Sequence, residues 1–149
     1  MRPEVRREQF KHLLSMPVRW GDVDRLGHVN NVQFLRYAED ARVTWVERMR
    51  TGLQQADLTD EGPILADIQC SFLRQLRWPA AVEIGARAER IGRSSMTLIN
   101  PVFEAGQTEP VAIARAVIVW FDYKAQKSVP VPEPLRAAIR QFEVLAPEE

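Results

Sequence analysis

A short acidic segment, Trp20–Asn31 (WGDVDRLGHVNN), contains the residue types in this chain that are best suited to chemistry. It separates an alternating apolar stretch, Leu13–Val18, from a long helical pattern. Loops held by rigid elements often carry the polar groups that a packed core excludes. A helix starting at Asn31 would point unpaired backbone N–H groups, and the positive end of its dipole, into the same space. A carboxylate from Asp22 or Asp24 facing those donors would form half of a hydrolytic site.

The helix after this segment is predicted from apolar residues that recur at steps of three and four, namely Phe34, Tyr37, Ala38, Ala41, Trp45 and Met49. Charged residues fill much of the remaining surface and are expected to face solvent: Arg36, Glu39, Asp40, Arg42, Glu47 and Arg48. Asn30 or Asn31 suits the N-cap, and Thr51-Gly52 is expected to end the helix.

The pattern changes to a period of two from about Pro63. One face of the next strand is predicted to carry Ile64, Ala66, Ile68, Cys70 and Phe72. A second strand repeats the alternation with Val82, Ile84, Ala86 and Ala88. A third is expected over Met96–Phe103, where Pro101 indicates an edge strand or an irregularity because proline donates no hydrogen bond.

The segment Val111–Phe121 is apolar at nearly every position, which is typical of a strand buried on both faces. One helix covers only one face of a sheet, so we expect a second subunit on the other. A short helix containing Pro134 is predicted to end the chain, with Leu135, Ile139 and Phe142 on one side. The element order favours an α+β fold, an antiparallel sheet wrapped around one long helix.

Length and composition agree with one domain spanning residues 1–149, with residues 1–11 as a loosely ordered lead-in. The 20 basic and 20 acidic residues balance, so no basic field for nucleic acid or an anionic membrane is expected. One cysteine and two histidines predict neither a disulfide nor a histidine-based metal site. No stretch is apolar enough to span a bilayer or to form a signal segment, so a cytoplasmic protein is expected.

The run GDVDRLGHVNN and the helix FLRYAEDARVTWVERM together resemble the hotdog-fold acyl-CoA thioesterases of the 4-hydroxybenzoyl-CoA thioesterase type. The element order matches from about Leu13 to Phe142. The resemblance implies the hotdog fold and hydrolysis of an acyl-CoA, with CoA as part of the substrate and no other cofactor. It also implies a site between subunits, hence a homodimer at least and commonly a homotetramer.

Position by position, the family's catalytic carboxylate corresponds to Asp24, and its carbonyl-polarising backbone N–H to Asn31. The residues that contact the CoA phosphates in the family correspond to Arg90, Arg93, Ser94 and Ser95. Acyl-carrier-protein thioesterases that share the HVNN ending have an asparagine where this chain has Leu26. His28 therefore lacks one neighbour of that acid–amide–histidine set, and its catalytic role is left open.

The residues leave the mechanism open between Asp24 as general base on a water and Asp24 as direct nucleophile. No serine or cysteine triad is evident, because Ser94 lacks a nucleophile-elbow context and Cys70 falls on an alternating strand. Two other functions remain: a non-catalytic module that binds acyl-CoA or acyl carrier protein, and an enoyl-CoA hydratase. The acyl group, and the choice of CoA or acyl carrier protein, are not set by these residues.

Overall fold

The computed structural model describes residues 4–51, 53 and 60–149. Two 3-10 turns, Arg7–Gln9 and Trp20–Asp22, flank the first strand. The strands and helices follow in the order β1 (His12–Pro17), α1 (Asn31–Arg50), β2 (Glu61–Phe72), β3 (Ala81–Ile91), β4 (Ser95–Glu104), β5 (Pro110–Asp122), β6 (Lys127–Ser128) and α2 (Glu133–Phe142). Within the described residues, no helix is both long and apolar enough to cross a membrane.

The strands form one antiparallel sheet in the order β1-β3-β4-β5-β2, and β6 pairs with the end of β5. Helix α1 packs against the inner face of this sheet, which curls around it. The predicted α+β hotdog architecture is therefore confirmed. Strand β2 forms one edge of the sheet and β1 forms the other.

The predicted apolar stripe on α1 is confirmed, because all six of its residues are buried. They pack on inner-face residues of the sheet such as Ile84, Leu98 and Trp120. Arg42 is the exception to the predicted pattern of α1. The pattern places it in solvent, yet its residue exposure is only 6%. Helix α1 ends at Arg50 with Thr51 as its C-cap, and the proposed stop residue Gly52 lies outside the described residues.

The outer face of the sheet, where a second subunit is expected, is covered in part by the chain itself. Phe10 packs there against Ile99 and Phe103 in a small second core. Gly85 permits this approach, because a Cβ at that position would lie 2.7 Å from the Phe10 ring. The segment expected to be a loose lead-in thus supplies a buried anchor. Outward residues of β5, such as Val117, stay half-buried.

Strand β2 departs from the simple alternation expected for it. Its register against β5 shifts between Leu65 and Asp67. Leu65 therefore pairs with the buried Ile118 and shares the inner face with Ile68, whereas Ile64 lies on the outer face. A bulge adds one residue to one strand, and this reverses the facing of every residue before it.

Pro101 lies in a central strand, β4, so the suggested edge position is wrong. Proline offers no N–H to the neighbouring strand. The side-chain amide of Asn100 instead donates to the Gly85 carbonyl at 3.0 Å. An adjacent side chain thus replaces the missing backbone donor and keeps a proline tolerable in the middle of the sheet.

Candidate active site

The acidic segment folds as a small hairpin that leads directly into α1. The backbone N–H of Asn30 donates to the Asp22 carbonyl at 2.9 Å. Val23 and Val29 form a β-bridge, and the Asp24 N–H donates to the His28 carbonyl at 2.9 Å. The turn closes at Gly27, whose φ of 83° favours glycine. These bonds fix Asp24 two residues beyond the Asp22–Asn30 pair at the start of α1.

The first turn of α1 has one backbone donor that the chain leaves open. Asn30 is the N-cap, and its side chain accepts from the Val32 N–H at 3.0 Å. The Gln33 N–H donates to the Asn30 carbonyl at 2.9 Å. The Asn31 N–H has no acceptor among the described residues. It is therefore a free donor at the positive end of the helix dipole.

The two aspartates of the segment have different environments. Asp22 is buried, and its Oδ2 accepts from the Tyr37 hydroxyl at 2.7 Å and from the Arg19 N–H at 3.0 Å. Burial and this bond raise the pKa of Tyr37 well above its ordinary value, so the phenol stays a donor. Asp22 thus ties the hairpin to α1 and has a structural task.

Asp24 is only partly buried and keeps one carboxylate oxygen available. Its Oδ1 accepts from the Leu26 N–H at 2.9 Å, an Asx-turn that orients the side chain. Its Oδ2 has no hydrogen-bond partner among the described residues. The hairpin thus carries an oriented carboxylate with one free oxygen and leads into a free helix N–H, and a hydrolytic site requires both kinds of group.

His28 follows Asp24 in the same hairpin but has no bond to it through its ring. Its Nε2 is buried without a hydrogen-bond partner in the described chain. Leu26 is 79% exposed and offers no amide to the imidazole. The acid–amide–histidine set is therefore incomplete in the structure as well as in the sequence.

The other predicted binding residues lie at the β3–β4 turn. Arg90 is near the end of β3, Arg93 and Ser94 are in the turn, and Ser95 begins β4. The Arg90 and Arg93 side chains are exposed, and Ser94 and Ser95 are half-buried. The turn is held from behind by Arg136 of α2, whose guanidinium donates to the carbonyls of Gly92 and Arg93. The Trp120 N–H also donates to the Ser94 carbonyl at 2.8 Å. The backbone of the turn is thus held in place, while the side chains of Arg90 and Arg93 are exposed.

Within a single chain, the β3–β4 turn and Asp24 lie at opposite ends of β3. Strand β1 runs antiparallel to β3, so Pro17, just before the hairpin, pairs with Ala81 at the first residue of β3. The turn follows Ile91, the last residue of the same strand. Because a strand rises about 3.3 Å per residue, roughly 30 Å of β3 lies between the end where the hairpin begins and the turn. A site that uses both needs two chains.

The sequence reasoning missed several residues that shape this region. The apolar stripe places Tyr37 in the core and says nothing of its hydroxyl, which anchors Asp22. Arg136 was not predicted, although it braces the turn proposed to bind phosphate. Two acids so close together could have suggested a buried partner for one of them, but the sequence gives no signal for Arg136. No group of three or more histidine, cysteine or acidic side chains in the described part of the chain could hold a metal ion.

The family model of the Thioesterase-like superfamily matches residues 18–139, which include the hairpin, α1 and the β3–β4 turn. The chain belongs to this superfamily. The predicted relationship to hotdog thioesterases is confirmed, and membership supports thioester hydrolysis as the general chemistry.

Three known proteins are similar to this chain over most of its length. The PA5185 protein from Pseudomonas aeruginosa is 28% identical, with a TM-score of 0.81 over 99% of this chain and 100% of that one. A thioesterase from Thermus thermophilus, solved with coenzyme A and Zn, is 32% identical, with a TM-score of 0.78 over 91% of this chain and 96% of that one. The chloroplastic acyl-acyl carrier protein thioesterase ATL3 of Arabidopsis thaliana is 23% identical, covering 88% of this chain and 68% of its own length.

Proposed function

We propose that this protein hydrolyses acyl-CoA thioesters, using Asp24 and the N-terminus of α1. The observation that carries the proposal is a single hairpin that holds a carboxylate whose Oδ2 is free and leads into the unpaired Asn31 N–H. Such a donor stabilises the negative charge that develops on the carbonyl oxygen, and one well-placed donor contributes about 3 kcal/mol to transition-state stabilisation. The solved thioesterase with bound coenzyme A supports CoA as the carrier.

The reaction follows one of two routes through Asp24. As general base, the carboxylate removes a proton from water, whose oxygen attacks the thioester carbon. As nucleophile, it attacks that carbon itself and forms a mixed anhydride that water then hydrolyses. In both routes the Asn31 N–H holds the oxyanion, the C–S bond breaks, and the CoA sulfur takes a proton as it leaves. Neither route uses a metal or another cofactor.

A complete site in this proposal is shared by two copies of the chain. Arg93 and Arg90 of one copy bind the CoA phosphates, with Ser94 and Ser95 as further donors, while Asp24 of the other performs the chemistry. Guanidinium groups suit phosphate because they bind it bidentately. A homodimer is the smallest assembly that provides this site, and a homotetramer is two such dimers.

The sheet edge at β2 supports self-association. Apolar side chains of β2 and the residue after it remain between 38% and 57% exposed in the single chain: Ile64, Leu65, Phe72 and Leu73. Edge strands with unpaired backbone groups and apolar side chains commonly pair with another strand. Pairing of two β2 strands would cover this edge.

The test is Asp24→Asn, with kcat/KM measured on a short acyl-CoA by detection of the released thiol. We expect a loss of about 100-fold or more, because the amide neither accepts a proton nor attacks. Glu8→Gln, an exposed acid in the turn before β1, is the matched control and should retain wild-type activity. Near wild-type turnover in a folded Asp24→Asn variant would exclude both routes. Binding of acyl-CoA without any thiol release by the wild type would instead identify a non-catalytic binding module.

Acyl carrier protein is the second candidate carrier. The similarity to the acyl-acyl carrier protein thioesterase supports it. So do the exposed side chains beside the hairpin, Trp20 at 77% and Leu26 at 79%, which a protein carrier could cover. Matched acyl-CoA and acyl-carrier-protein substrates distinguish the two. A kcat/KM at least about tenfold higher on the protein carrier would make acyl carrier protein, rather than CoA, the preferred carrier.

A further inference from the structure

Arg42 lies in the middle of α1 with no partner for part of its guanidinium. The residue is 6% exposed, and its Nη1 is buried without a hydrogen-bond acceptor among the described residues. Burial lowers the pKa of this side chain, although the nearby Glu39 opposes the shift. Leaving a buried charged donor unpaired is costly, so such groups normally have a partner. The described residues thus leave this donor available to a group from outside them.

A cavity of about 230 Å³ lies at this guanidinium, between α1 and β2. Its walls are mostly apolar and include Val43 and Val46 of α1 together with Pro63, Leu65 and Ile118 of the sheet. Two carboxylates of α1, those of Glu39 and Glu47, also line it. The cavity therefore combines an apolar lining with one buried donor, which is the usual composition of a small-molecule site.

A partly exposed apolar strip on the inner face of β2 runs from this cavity toward the start of α1. Strand β2 runs back along the helix, because its last residue, Phe72, packs on Phe34 with 5.7 Å between ring centroids, whereas its early residue Leu65 lines the cavity. Between them, the inward-facing Ile68 and Cys70 are only half-buried. An acyl chain whose thioester lies at the N-terminus of α1 can thus extend along β2 to Arg42.

We infer that this apolar strip and the cavity receive the acyl group, and that Arg42 donates a hydrogen bond to an oxygen on the distal part of the acyl group. The inference rests on the proposed function for the position of the thioester, and it adds the substrate class. The substrates are thioesters of medium-length acids that carry a hydroxyl or keto oxygen far from the thioester carbon.

The length of the acyl chain follows from the position of Arg42 along α1. Arg42 lies about three turns after Asn31, or about 16 Å along the axis. An extended alkyl chain advances about 1.3 Å per C–C bond, so twelve carbon atoms span about 14 Å. The Arg42 side chain covers the remainder, because side chains on a helix lean toward its N-terminus. A neutral oxygen fits better than a carboxylate, because Glu39 and Glu47 at the same cavity would repel an anion.

The experiment compares three CoA thioesters of equal length: dodecanoyl-CoA, 12-hydroxydodecanoyl-CoA and the mono-CoA thioester of dodecanedioic acid. We expect the wild type to prefer the hydroxylated substrate over dodecanoyl-CoA by about tenfold or more in kcat/KM, since a hydrogen bond to a charged donor is gained. The dicarboxylic substrate should fall below the hydroxylated one. Binding of the free acids, dodecanoate and 12-hydroxydodecanoate, is measured in parallel by calorimetry.

Arg42→Met keeps the length of the side chain but removes its donors, and should abolish the preference for the hydroxylated substrate in both measurements. Arg48→Met is the control on another face of α1, where the guanidinium lies over the Phe142 ring, and should retain the preference. Equal kcat/KM for the plain and hydroxylated substrates in the wild type would overturn the inference. So would a preference that survives in Arg42→Met.

The two proposals fail in different ways. If no thioester is hydrolysed but the free hydroxy acid still binds tighter in an Arg42-dependent manner, the proposed function fails and the acyl site stands. If Arg42→Met dissociates the oligomer in size-exclusion chromatography and leaves the substrate preference intact, the missing partner of Arg42 is a second copy of the chain. That outcome also overturns the inference.

Discussion

Glu143, the residue after α2, is a buried carboxyl with only two donors to stabilise its charge. Its Oε1 accepts from the Trp45 indole N–H and the Ala88 backbone N–H, both at 3.0 Å, while Oε2 is buried without a partner in the described chain. Burial raises its pKa to about 7, against the lowering effect of those two bonds and of Arg87 and Lys11. The folded chain therefore retains a proton that the unfolded chain releases near pH 4.5.

Glu143→Gln should flatten the pH dependence of stability. The raised pKa means that folding favours the protonated form, so wild-type stability is fully present below about pH 4.5 and is lost as the pH rises to about 7. At 1.36 kcal/mol per pKa unit, the loss is about 3 kcal/mol. The glutamine keeps an acceptor for Trp45 and cannot ionise. The wild type should therefore lose about 3 kcal/mol of unfolding free energy relative to Glu143→Gln between acidic and alkaline pH.

Urea unfolding across this pH range measures the effect. Glu148→Gln, an exposed acid near the same end of the fold, is the control and should follow the wild-type profile. Parallel stability profiles for Glu143→Gln and the wild type would show that the carboxyl ionises in the folded chain as it does in water.

Capping at the start of α1 stabilises the helix and also leaves a backbone donor for the candidate site. The Asn30 side chain satisfies the Val32 N–H, and its carbonyl satisfies the Gln33 N–H. The Asn31 N–H alone is left open toward the hairpin. Local capping thus selects which donor of the first turn remains available for a ligand.

Two substitutions at Asn30 separate these tasks. Asn30→Ala removes the cap and should lower the free energy of unfolding by about 1 kcal/mol. Asn30→Asp keeps the cap, because aspartate is as good an N-cap, but adds a negative charge beside the developing oxyanion. We expect Asn30→Asp to keep the wild-type Tm and to lose about tenfold in kcat. Thermal unfolding and thioester kinetics report the two effects. Equal kcat in wild type and Asn30→Asp would contradict an oxyanion at this helix end.

The elements that could be predicted from the sequence are those whose signal is local. The α1 stripe follows from a period of 3.6, and the hairpin before it from turn residues next to an N-cap. The bulge in β2 could not be predicted, since it depends on how Leu65 and Asp67 meet β5. The central position of Pro101 depends equally on a substitute donor, Asn100.

The same reasoning explains what was missed in the candidate site. Asp24 and Asn31 could be proposed because acid, glycine and cap occur together in one segment. Arg42 could not, because a charged residue on a helix is normally on the solvent side. Its burial results from the curl of the sheet, which brings β2 alongside α1. Neither the composition of the chain nor the spacing of residues on α1 indicates that β2 will lie next to Arg42.

At the scale of the whole molecule, the two ends of the sheet carry different halves of the proposed site. The hairpin with Asp24 lies at the β3 end that begins at Ala81, and the turn with Arg93 follows Ile91. The single chain therefore separates the carboxylate from the arginines proposed to bind CoA. Self-association would bring one half from each copy together.

This arrangement predicts complementation between two damaged chains. Asp24→Asn and Arg93→Glu should each hydrolyse acyl-CoA poorly as pure proteins. In a mixed dimer, one site receives both substitutions and the other receives none, so a mixed dimer should recover about half of the wild-type activity. Co-expression with two different affinity tags and sequential purification isolates that species for kinetics. A mixed dimer no more active than the average of the two parents would mean that each chain builds its site alone, because only a site shared between copies can be restored by exchange.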